Sequence, residues 1–176
     1  MRSAGGYRGL GCRWNESLLW TTTIEQMDTI KFTETIIIEA SPAKVFDFTQ
    51  DYGKRLNWDT FLKKAHLIDG AVNADKGVMA YCVAKNGLGM TTEYITFNRP
   101  KVTAIKMTKG PYLFKSFLGS WSFKELQEDK TEVSFLYAFS LRFPFNLITN
   151  LIKDNLQKNV TQRLKDLKMN IENTDC

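Results

Sequence analysis

The stretch Thr131–Phe143, TEVSFLYAFSLRF, and the run behind it, Pro144–Asn170, PFNLITNLIKDNLQKNVTQRLKDLKMN, decide the fold between them. In the first, Val133, Phe135, Tyr137, Phe139 and Leu141 alternate with mostly smaller or polar residues. That period of two is the signature of a strand with one buried face. In the second, Leu147, Ile148, Leu151, Ile152, Leu156, Val160, Leu164 and Leu167, with Ile171 just beyond it, recur at spacings of three and four, and Lys153, Lys158, Lys165 and Lys168 lie largely off that stripe. This is an amphipathic helix opened by Pro144. Some 26 residues at 1.5 Å each span about 39 Å, enough to cross a sheet.

Upstream, more strands are legible. Phe114 to Leu126 places Phe117, Gly119, Trp121 and Phe123 on one face, and Glu128-Asp129-Lys130 turns it into the next strand. Lys101 to Lys109, Met90 to Asn98, Gly77 to Lys85 and Phe61 to Asp69 are the others, punctuated by Gly110-Pro111, Pro100, and the hairpin pair Asn86-Gly87. Phe32 to Glu39 ends in three isoleucines, a β-branched run that favours strand, and stops at Ser41-Pro42. Ser41 is placed to cap a helix whose first position is Pro42 and whose apolar face is Val45, Phe46 and Phe48. Lys54 to Thr60 reads as a second short helix that buries Leu56 and Trp58.

Strand, two short helices, about six antiparallel strands and one long helix make an α+β domain. A sheet with an aromatic concave face must bury it, and only the last helix is long enough to do so. A straight rod and a bent sheet cannot touch everywhere, so a cavity between them is expected.

Composition supports this and narrows the rest. The 176 residues suit one domain, 43% are hydrophobic, and twelve Phe, six Tyr and four Trp are available to fill a core. Twenty-four Lys and Arg against nineteen Asp and Glu give +5, with the basic residues dispersed, which argues against a nucleic-acid surface. Three widely spaced cysteines (Cys12, Cys82, Cys176) and a single histidine, His66, support neither a disulfide framework nor a metal site, and no cofactor motif is present. Reduced thiols suggest the cytoplasm. No apolar run reaches transmembrane length, because Arg142 and Lys153 interrupt the richest region. Residues 1–27 read as a disordered leader, a cloning scar or an overextended start, and residues 28–172 as the domain. A monomer or homodimer is expected.

The order of segments, together with Ile36-Ile37-Ile38-Glu39-Ala40-Ser41-Pro42-Ala43-Lys44-Val45-Phe46-Asp47-Phe48, Asp51-Tyr52 and Asn57-Trp58-Asp59, resembles the START/Bet v 1-like (SRPBCC) superfamily of polyketide cyclase/dehydrase-like and lipid-transport proteins. The resemblance covers about Thr29 to Ile171. It implies a helix-grip fold, a curved antiparallel sheet of about seven strands wrapped around the C-terminal helix. It also implies a hydrophobic small molecule or lipid held between the two.

The candidate ligand-binding residues follow. Phe117, Trp121, Phe123, Phe135, Tyr137 and Phe139 would pack as core singly or line the space under the helix as a group. Ile148 and Ile152 face them from the helix, and Asn155 between Ile152 and Leu156 is placed to direct an amide inward. Trp58 sits where the resemblance puts a tryptophan near the cavity mouth, and Tyr81 and Tyr94 either offer hydroxyls to a ligand or face solvent. Alternation with Ile95 and Phe97 turns Glu93 inward, where burial would raise its pKa and make it a weak candidate for general acid or base. His66, among lysines, reads as a surface residue. The function expected is sequestration or transport, with entry gated by the short helices and hairpin loops. A cyclase/dehydratase-like enzyme using the same cavity, or a protein-interaction module of the same fold, is the alternative.

Overall fold

The computed structural model describes residues 29–173, and the expected leader lies outside the described residues. Strand β1 (Ile30–Ile38) leads into helix α1 (Pro42–Gln50) and the single turn α2 (Arg55–Trp58). Six strands follow: β2 (Leu62–Leu67), β3 (Met79–Ala84), β4 (Gly89–Asn98), β5 (Val102–Lys109), β6 (Phe114–Gln127) and β7 (Lys130–Leu141). A 3-10 turn (Phe145–Ile148) then feeds α3 (Thr149–Asn173), which is 25 residues long. All seven strands form one antiparallel sheet in the order β1-β7-β6-β5-β4-β3-β2. The meander from β2 to β7 is thus closed at its far side by the first strand. The helix-grip architecture is the one the sequence implies.

The β7 alternation holds from Thr131 to Phe139 and breaks at the end, where Ser140 is buried and Leu141 half-buried. Val133, Phe135, Tyr137 and Phe139 are all buried, and Trp121 lies opposite Phe135 with the rings stacked at 4.0 Å. The strand β1 meets β7 in register from Ile30↔Phe139 to Ile38↔Thr131, with Ile38 in the core. Its free edge is covered by α3: Lys168 Nζ donates to the Ile37 carbonyl (2.9 Å), and Glu172 Oε1 accepts from the Glu39 amide (2.9 Å). An edge strand occupied in this way offers less backbone for pairing with another chain.

The helix has two unlike halves. Val160, Leu164, Leu167 and Ile171 are fully buried against the sheet and α1. Leu147 and Leu151, on the same sequence stripe, are 75% and 68% exposed. The carboxyl half is clamped and the amino half stands away. No helix among the described residues is long and apolar enough to cross a membrane.

Three local expectations are corrected. Ser41 occupies the cap position of α1, and its carbonyl accepts from Val45 N–H, but its side chain makes no capping bond. In α2 the buried pair is Arg55 and Trp58, three apart on one face, and Leu56 is turned to solvent. In β4 the register with β5 slips between Tyr94 and Thr96, a bulge at Ile95. Thr92 and Tyr94 therefore face the core before it and Phe97 after it, where Phe97 meets Phe46 edge-on at 5.2 Å.

Candidate ligand cavity

Between the concave face and the raised half of α3 lies a cavity of about 560 Å³. Its walls come from β3–β7 and its roof from the helix. From the sheet, Met90, Thr92, Ile105, Phe117, Trp121 and Phe135 line it; from the 3-10 turn Ile148 does, and from the helix Leu151, Ile152 and Leu156. Leu88 in the β3–β4 hairpin, Ile148 and Leu151 line the cavity and are exposed to solvent at once, which places the mouth there. Gly119 keeps the interior open. It stands opposite Tyr137, and a Cβ at this position would come within 3.1 Å of the Tyr137 ring and 3.4 Å of Ile105.

Of the residues expected to bind ligand, Tyr94, Phe117, Trp121, Phe135, Tyr137, Ile148, Ile152 and Asn155 do line the cavity. Four do not. Trp58 is buried behind the wall, under the Arg55 guanidinium (4.7 Å to the ring) and against Phe48, and its indole nitrogen has no hydrogen-bond partner. Phe123 packs onto Phe46, and Phe139 sits among Phe32, Phe114 and Phe117. Tyr81 belongs to the other face of the sheet, edge-on to His66. Glu93 also falls outside the lining, because the inward face of β4 at that point is Thr92 and Tyr94. The bulge at Ile95 explains the error: counting by twos backward from Phe97 crosses an inserted residue. Of the elements expected at the entrance, the hairpin flanks the opening together with Ile148 and Leu151, whereas Tyr52 and Arg55 line the closed end.

That closed end is polar, and the sequence reading passed over it. Asp59, fully buried, accepts from Arg55 Nε (3.0 Å), Arg163 Nη2 (2.8 Å) and Arg163 Nε (3.1 Å to Oδ1). Arg163 Nη1 donates to the Tyr137 hydroxyl at 2.8 Å, and its guanidinium lies 5.1 Å from the Phe135 ring. A second chain runs from Tyr52 to the Tyr94 hydroxyl (3.2 Å) and from Tyr94 to Gln50 Oε1 (2.8 Å). With the Tyr94 proton given to Gln50, Tyr52 is the donor to Tyr94. Burial works to raise Asp59, but Arg163 and Arg55 outweigh it and hold the carboxyl below its ordinary range. Burial pushes the Tyr52, Tyr94 and Tyr137 phenols and the Cys82 thiol up. All four therefore keep their protons at neutral pH. Among the described residues no group of three or more His, Cys, Asp or Glu could hold a metal ion.

A bent antiparallel sheet, a gripping terminal helix and an enclosed hollow between them define a START/Bet v 1-like (SRPBCC) protein. The chain belongs to the family described as polyketide cyclase/dehydrase and lipid transport, whose model matches residues 29–172. Its fold is similar to that of TTHA0849 from Thermus thermophilus, with TM-score 0.70 and 17% identity over 84% of this chain and 100% of that one. It is also similar to the Zhui aromatase/cyclase from Streptomyces sp. R1128, with TM-score 0.71 and 13% identity over 82% and 94% of the two chains. A START superfamily protein from Mycobacterium smegmatis matches at TM-score 0.66 and 12% identity, over 80% and 98%. No curated protein matches the chain by sequence.

Proposed function

We propose that this protein takes up a hydrophobic small molecule or lipid through the mouth beside Leu88 and Leu151 and holds it under α3, as a carrier or a store. The observation that supports this reading most is the cavity itself, at about 560 Å³ within the range of small-molecule sites and walled by Phe117, Trp121, Phe135, Ile105 and Ile152. Burying about 300 Å² of apolar ligand surface contributes ~7 kcal/mol before the costs of association, which a preformed pocket keeps low. With Cys82 a free thiol, a reducing compartment such as the cytoplasm suits the chain.

A cyclase or dehydratase would use the same hollow but needs a group that gains and loses a proton near neutrality. The lining phenols and thiol are shifted upward and Asp59 downward, so these groups bind and orient better than they relay protons. Binding is therefore the reading favoured here. It is tested by titrating the full chain with the neutral fluorophore 1-N-phenylnaphthylamine, and by denaturing protein isolated from its own cells and analysing the released small molecules by mass spectrometry. Saturable enhancement of the fluorophore and an apolar compound released in stoichiometric amount are expected. Absence of both would overturn the proposal.

A further inference from the structure

The closed end of the cavity does not balance its charge. Arg55 and Arg163 both line it, both are buried, and one carboxylate, Asp59, serves the two of them. Asp166, one turn beyond Arg163, is buried as well, but it accepts from Thr60 and from Gln162 and pairs with neither arginine. Arg55 spends its remaining contact on the Thr49 carbonyl, and Arg163 on the Tyr137 hydroxyl. The aromatic faces of Trp58, Phe135 and Phe61 lie 4.7, 5.1 and 5.3 Å from the guanidinium centres and offset part of the burial cost. They supply no negative charge. Two fixed cations against one anion leave an unmatched positive charge facing an apolar hollow, a costly arrangement unless something fills it. The Tyr137 hydroxyl accepts from Arg163, which leaves its own proton free to donate toward the same space.

We infer that the ligand is amphipathic, with an anionic oxygen headgroup, a carboxylate in its simplest form, seated against Arg163, Arg55 and the Tyr137 hydroxyl, and its apolar body running toward the mouth. This rests on the proposed binding role and narrows its ligand class. An electron-rich oxygen would complete the charge count and take up the free guanidinium N–H groups in charge-assisted hydrogen bonds.

The experiment is displacement of 1-N-phenylnaphthylamine from the full chain at pH 8, below micellar concentrations and at fixed ionic strength, by dodecanoate, methyl dodecanoate and dodecylammonium. Dodecanoate is expected to displace at a concentration at least about tenfold below the methyl ester, and dodecylammonium to be the weakest. In Arg55→Met one guanidinium faces one carboxylate, and the acid-to-ester ratio should fall to within about threefold. Arg55→Lys keeps the charge count and should keep the preference. Equal displacement by acid and ester in the unmodified chain would overturn the inference while the binding reading stands. If the fluorophore fails to bind and protein from its own cells releases no apolar compound, both fall.

Discussion

Asp59 carries more of this structure than any other single side chain, because it holds two cations that would otherwise be buried without a partner. Asp59→Asn should cost about 3–5 kcal/mol in a denaturant unfolding experiment, the scale of a broken buried ion pair. The pH dependence follows from the same contacts. The folded carboxyl lies below its ordinary value, so its stabilising contribution is present above the unfolded pKa of about 3.9 and is lost as pH falls through the lower folded value. Unfolding free energy should therefore decline below about pH 4 in the unmodified chain, and Asp59→Asn should lack that part of the slope. Half of this was legible beforehand. Arg163 falls three residues after Val160 and four before Leu167, so a charged residue sits on the apolar stripe and must be buried with a partner. Which carboxylate answers it was not legible: Asp59 is 104 positions away, and only the folded chain brings the two together.

The long helix was read correctly as amphipathic, yet its stripe says nothing about which turns touch the sheet. Apolar spacing is as regular at Leu147 and Leu151 as at Leu164 and Leu167, yet the first pair is exposed, with Leu151 alone reaching the cavity, while the second fills a core. Leu164→Ala should cost about 2–5 kcal/mol, and Leu151→Ala should stay within about 0.5 kcal/mol, both from urea melts. Hydrogen exchange should show the same division, with amides of residues 149–159 exchanging faster than those of 160–171. In β4 the failure has another cause. A bulge is one extra residue in one strand, and nothing in the composition of Thr91 to Phe97 announces it. Glu93 was assigned inward for that reason alone.

The aromatic face, the capping helix and the hollow were all foreseeable, since a strand pattern of period two and a helix of period 3.6 must meet somewhere. The parts of the closed end come from α1, α2 and the residues flanking it, β4, β7 and α3, and share no sequence pattern. If the hollow is the binding space, filling it should abolish binding without unfolding the chain. Gly119→Leu forces the Tyr137 ring aside and occupies the interior. It should weaken 1-N-phenylnaphthylamine binding at least about tenfold, at a stability cost of about 1–3 kcal/mol seen as a lowered denaturant midpoint.

The rod that covers the aromatic sheet follows all seven strands along the chain and is therefore synthesised after them. Until the helix emerges from the ribosome, Phe135, Trp121 and Phe117 have no roof and Asp59 has no Arg163. Until then the nascent polypeptide presents a sticky, incompletely compensated surface, the kind that chaperones shield. A truncation ending before Val160 is accordingly expected to be insoluble on expression, even though every strand of the sheet has by then been made.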